Sequence, residues 1–143
     1  QSDFDSDVVV EQGDLLVSRA NAILTNVGVA CIAPASFPNL MLSDKTLRVR
    51  PKPGGSSRVL LETMRAPAFR AHVESSAGGT GAKNISQKAI LQGPALVFSP
   101  AAEATLDASL RESDALSEKL REAVRVADMR HRTLLEGTVG GNE

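Results

Sequence analysis

The residues best suited to chemistry in this chain are cations and amides gathered in three short stretches. Arg19 and Asn21 lie in SRAN, Arg48 and Arg50 alternate in KTLRVR, and Lys83, Asn84 and Lys88 follow the glycine run GGTG. An Arg can take guanine O6 and N7, an Asn can take adenine N6 and N7, and any of the cations can neutralise a phosphate. Each also has a plainer use, because Asn closes turns and Arg ties loops to their own backbone. Arg48 and Arg50 share one face of an alternating strand with Thr46 and suit phosphates better than bases.

Other chemistries find less support. GGTGAK resembles a phosphate loop, but that pattern needs GxxxxGK followed by Ser or Thr, and here Ala82 follows Gly81 and Asn84 follows Lys83. His72 and His131 fall in different segments with no carboxylate or cysteine at a ligand spacing, so no metal is expected. No GxSxG elbow is present, and a small enzyme using His72 with Glu74 or Ser75 is the weakest of the readings weighed. No cofactor is expected. Four Phe with no Trp or Tyr argue against aromatic platforms for stacked bases. Cys31 is the single cysteine, which excludes an internal disulfide and points to a reducing, cytoplasmic setting, and no run approaches the roughly 18 apolar residues of a spanning helix, so no membrane association is expected. The acidic opening QSDFDSD is the reverse of a signal peptide, and the start at Gln1 suggests a piece of a longer chain.

The cations sit in a body whose charge differs from its flanks. Residues 8–98 hold ten Lys and Arg against five Asp and Glu, whereas 99–143 hold six against nine. A net charge of +5 on the body permits an anionic partner there and not along the tail.

The elements that must carry these residues follow from pattern. Val8–Val10 and Asp14–Val17 predict short strands around Gly13, and 26–33 predicts another, with Gly28 as a bulge or a close backbone approach. Asn39–Leu42 and Lys45–Arg50 bracket Ser43-Asp44 as a hairpin. PKPGGSS is a loop whose Ser56 or Ser57 can cap a helix over 58–65, and Pro67 opens a second helix to Ser76. A helical turn at 87–91 and a strand at 95–98 follow. From Ala101 to about Leu135 neither Pro nor Gly occurs, which predicts one long helix. Steps of four and three give Leu106, Leu110, Ser113, Ser117, Leu120, Val124, Ala127, His131 and Leu134, six of them apolar, a heptad stripe suited to pairing with another helix.

Four segments, in order, resemble the target recognition domain of type I restriction-modification specificity subunits. They are GDLLVSRANA at 13–22, VGVACIA at 27–33, NLMLSDKTLRVRP at 39–51 and SSAGGTGAKNISQKAIL at 75–91. VFSPAAEATLDASL then matches the family's approach to its long conserved helix at Pro100 and Glu103, but not at a second proline and a glutamine. The resemblance implies an α+β chain: a small mixed or antiparallel-sheet recognition domain over 1–99, lacking its front strands, a coiled-coil-type spacer helix over 100–136 and a flexible tail over 137–143.

The resemblance further implies a sequence-specific, non-catalytic DNA-binding module. Such subunits pair two recognition halves through antiparallel helices, and bring DNA methyltransferase subunits and a restriction motor subunit to a bipartite double-stranded target. The residues expected at DNA remain Arg19, Asn21, Arg48, Arg50, Lys83, Asn84 and Lys88, chosen from their chemistry. Those expected at the helix pair are Leu106, Leu110, Leu120, Val124, Ala127 and Leu134. The alternative is a coiled-coil adaptor with no DNA reading of its own.

Overall fold

The computed structural model describes the backbone of residues 9–139 and side chains as far as Leu134. Val8, Asp3, Asp5 and Asp7 lie outside the described residues, as do residues 140–143 of the expected tail. The chain is α+β, with small antiparallel sheets followed by a long helix, and it divides into two units at Ala104 and Thr105.

The centre of the first unit is a three-stranded antiparallel sheet ordered β4-β2-β6, formed by β2 (Leu15–Ser18), β4 (Ala30–Ile32) and β6 (Thr46–Val49). Leu15 pairs with Ile32 and Val49, and Val17 with Ala30 and Leu47, so apolar residues of all three strands fall at matching positions. Leu15 and Val17 are fully buried. Helix α1 (Ser57–Arg65) contributes Leu61 and Met64 to this core, and α2 (Pro67–Ser76) contributes Phe69 and Val73. Ile85 and Ile90 complete it, the latter from α3 (Gln87–Leu91).

Local chemistry accounts for the helix boundaries. Ser56 Oγ accepts from the amides of Arg58 and Val59 at 3.1 and 3.4 Å, satisfying donors that the first turn of α1 leaves open. Pro67 occupies the first turn of α2. Thr63, buried within α1, donates its hydroxyl to Val59 O at 3.0 Å, so its own oxygen is not left unpaired.

Several expectations are corrected. The 39–50 stretch is not a hairpin: β5 (Phe37–Met41) pairs with β1 (Val9–Val10), whereas β6 pairs with β2. Leu47 and Val49 pack against the core cluster, which draws β6 to β2, while β5 carries Pro38 and buries none of its residues. The strand expected over 26–33 shrinks to β4, because Leu24–Asn26 forms a 3-10 turn before it. Gly28 does make a close approach: at φ +71° its added Cβ would stand 2.7 Å from Val73 Cγ1. Residues 95–98 form no strand, and Val97 is 93% exposed.

The second unit is the long helix α4 (Pro100–Val139), which begins within the first unit and runs past the expected end at residue 136. Within it Leu116, Leu120, Val124 and Leu134 are each more than half exposed. At 100° per residue these four fall within an arc of roughly 80° on the helix.

Candidate nucleic-acid interface

Two segments 60 residues apart in sequence meet as a short antiparallel ribbon. Strand β3 (Ala20–Asn21) pairs with β7 (Lys83–Asn84), with Ala20 opposite Asn84 and Asn21 opposite Lys83. The pairing continues where the amide of Ile85 donates to Arg19 O at 3.0 Å, and it is fixed because Ile85 is buried in the core. On the other side of β7, Gly78 and Asn84 exchange amide-to-carbonyl bonds of 3.0 and 2.8 Å. Four expected site residues, Arg19, Asn21, Lys83 and Asn84, therefore stand together. Lys88 follows at once on α3, with Ser86 Oγ capping that helix through the Ala89 amide at 3.0 Å.

Their side chains differ in what they are free to do. The guanidinium of Arg19 and the ammonium of Lys88 are exposed and make no side-chain hydrogen bond or ion pair among the described residues. Lys83 instead donates from Nζ to Gly79 O at 2.7 Å, and Asn84 donates from Nδ2 to Ala82 O at 3.0 Å. Both thus close the loop between α2 and β7. Gly79 permits that closure, since at φ +129° an added Cβ would lie 2.3 Å from Ala82 O. Asn21 Oδ1 accepts from the amide of Ile23 at 2.9 Å, an Asx-type turn leading off the ribbon.

Arg48 and Arg50 do not join this group as a pair. Arg50 is exposed, but Arg48 is turned inward, its side chain 8% exposed. Its Nε stands 3.3 Å from Asp14 Oδ2, and its Nη2 donates to Val9 O, so it bridges β6 to the approach of β2 and to β1. The alternation of Thr46, Arg48 and Arg50 is as expected for a strand, yet the face bearing Arg48 is covered. Arg48 is therefore a structural cation in this conformation and is not presented to a phosphate, contrary to the sequence expectation.

One important residue was not anticipated. Arg70, on α2, donates from Nη1 to Val27 O at 2.9 Å and from Nη2 to Thr25 O at 3.0 Å, which clamps the turn that follows β3. Its only sequence signal was a cation beside Phe69 and three positions before Val73, the two buried residues of α2. His72 Nε2 lies 2.8 Å from Ala89 O, and Ser75 Oγ donates to His72 O rather than to the ring. The first contact ties α2 to α3, the second lies within α2, and neither brings a nucleophile to a base. Among the described residues no group of three His, Cys, Asp or Glu could hold a metal ion, and no helix is long and apolar enough to cross a membrane.

The helix-pairing candidates lie along α4. Leu106 and Leu110 are half-buried, while Leu120, Val124, Ala127 and Leu134 are exposed. Charge divides along the same helix: residues 103–118 carry five acidic side chains and Arg111, whereas 119–134 carry five basic ones against Glu122 and Asp128. Neither the models of known protein families nor the curated proteins include a match to this chain.

Proposed function

We propose that this chain is a non-catalytic, sequence-specific DNA-binding module of the type I specificity kind. In this reading its basic body holds double-stranded DNA, and its long helix pairs with a second recognition half. Methyltransferase and restriction motor subunits are thereby directed to a bipartite target. The observation that carries the reading is the β3–β7 ribbon, which gathers Arg19, Asn21, Lys83, Asn84 and, just beyond, Lys88 from two distant segments. A net +5 over 8–98 supplies the long-range attraction such a ribbon needs. The direct phosphate contacts fall to Arg19 and Lys88, whose charged groups have no competing partner among the described residues.

The test is affinity of the full chain for duplex DNA between about 50 and 200 mM salt, where each phosphate contact contributes roughly 0.9 to the slope of log K against log salt. Lys88→Ala should lower that slope by roughly 0.9, and Arg19→Ala should do the same if it lies on a phosphate. An unchanged slope in both variants removes them from the interface. A chain that binds no duplex at either salt is the adaptor of the alternative reading.

The adaptor reading has its own support in α4. An exposed apolar stripe together with an acidic first half and a basic second half suits an antiparallel helix pair, in which unlike halves lie opposite one another. Leu110→Asp with Leu120→Asp should abolish pairing in sedimentation and block assembly with methyltransferase subunits. Undisturbed pairing would show that the stripe is not the seam.

A further inference from the structure

The geometry points to the turn Ile23–Asn26, and not to Asn21, as the part of this surface that reads bases. Asn26 takes adenine and Ile23 touches a thymine methyl. This inference rests on the DNA-binding reading above and sharpens it to two residues.

Asn21 has the right side chain for adenine, but its acceptor is occupied. Reading adenine needs one amide to accept from N6 and donate to N7 at once. Asn21 Oδ1 already accepts from the Ile23 amide at 2.9 Å and from Asn26 Nδ2 at 3.4 Å. Asn26 is the reverse case. Its Oδ1 has no partner among the described residues, and its Nδ2 carries a second hydrogen beyond the one directed at Asn21. It is exposed, and the contact with Asn21 holds the amide on the side of the turn nearest the ribbon.

The turn is rigid beyond what a surface loop requires. Val27, its next residue, is fully buried, and Gly28 lies against Val73 and donates to Ser18 O at 2.7 Å. From beneath, Arg70 grips the carbonyls of Thr25 and Val27. Yet this over-determined turn carries Ile23 60% exposed. An isoleucine held in water by so many constraints gains nothing for folding, whereas a fixed apolar side chain beside a fixed amide matches a T·A step, which shows a methyl group next to the N6/N7 pair in the major groove. Preorganisation of both groups lowers the ordering cost of that contact.

The experiment exposes the full chain to a duplex pool with a randomised central stretch and sequences the bound fraction. Ile23→Ala and Asn26→Ala are run in parallel, with melting temperature as a control for folding. The expected result is that Asn26→Ala loses preference for adenine at one position, and Ile23→Ala for thymine at a neighbouring one, each by roughly tenfold, with the salt slope unchanged. Should both variants enrich the wild-type sequence position by position, the turn does not read bases and the inference falls while the DNA-binding reading stands. If the wild-type chain enriches no sequence at all, the base-reading role falls with it.

Discussion

The two units of this chain solve the problem of apolar surface in opposite ways. In the first, nine residues, Leu15 and Val17 of β2, five from the three helices α1 to α3, Val27 and Ile85, close a core with almost no exposure. In the second, no described residue of α4 is buried, and Leu116, Leu120, Val124 and Leu134 face water. An isolated helix gains most of its stability from packing rather than propensity. The body can therefore fold on its own contacts, whereas the helix needs a partner to use its stripe. A chain whose two units depend on different things should also respond to different perturbations.

The largest effect is expected at Phe69. Its ring is 3% exposed, belongs to the core cluster and stands where a Cβ on Gly93 would come within 2.4 Å. Phe69→Ala should cost about 3–5 kcal/mol. That lowers the body's melting temperature by at least about 12 °C at roughly 4–8 °C per kcal/mol. Calorimetry at several protein concentrations checks the comparison as well as the residue. The body's transition should move with this substitution and not with concentration, while the helix's transition should rise with concentration if α4 pairs as proposed, as mass action requires. A single transition that shifts with both would show that the units are not independent.

Arg48 comes next and sharpens the description of the body. Breaking a buried ion pair from one side leaves an uncompensated charge, so Arg48→Ala should destabilise by about 3 kcal/mol through Asp14, which among the described residues keeps only the Glu11 amide as a partner, at 2.8 Å. The double variant Arg48→Met with Asp14→Leu should recover much of that loss in chemical denaturation. DNA affinity measured at equal folded fraction should be unaffected by Arg48→Ala, since its guanidinium is turned inward to Asp14 and Val9 O.

Arg48 also illustrates where sequence reading stops. Alternation in KTLRVR placed it correctly on a strand opposite Leu47 and Val49, because a two-residue period is a local property. Whether that face meets water depends on β1, which returns from another part of the chain, and no local pattern announces it. The capped helices at 57–65 and 67–76 and the long helix were legible for the same local reason: Ser56, Pro67 and the absence of Pro and Gly after Pro100 act within one turn. The Ser43-Asp44 hairpin failed because strand pairing is a long-range choice, and the core claimed β6 for β2. In the same way SRAN and KNIS each offered suitable side chains, but their meeting in one ribbon depends on Ile85 reaching the core 60 residues later. For Asn21 the sequence leaves groove contact and turn closure both open, and its Oδ1 closes its own turn. Arg70 went unnoticed because a clamp on two carbonyls needs the turn to exist first.

The smallest effect lies on α4 and probes what holds a helix without a core. Arg125 donates to Glu122 from Nε and Nη2, each at 2.8 Å, and this fork holds the Glu122 carboxyl below the usual carboxylate range and the Arg125 guanidinium above its own. Because Glu122 is easier to ionise in the helix than in the unfolded chain, its contribution is complete above the ordinary carboxylate pKa. It disappears as the pH falls through the lowered folded value. Both groups are fully exposed, so the effect should be slight and should fade with salt. Circular dichroism of the full chain at low salt should show helicity declining slightly on acidification, and Glu122→Gln should remove that component of the decline. A decline that is identical in the variant and insensitive to salt would mean that the fork adds nothing, and that α4 depends on its apolar stripe alone.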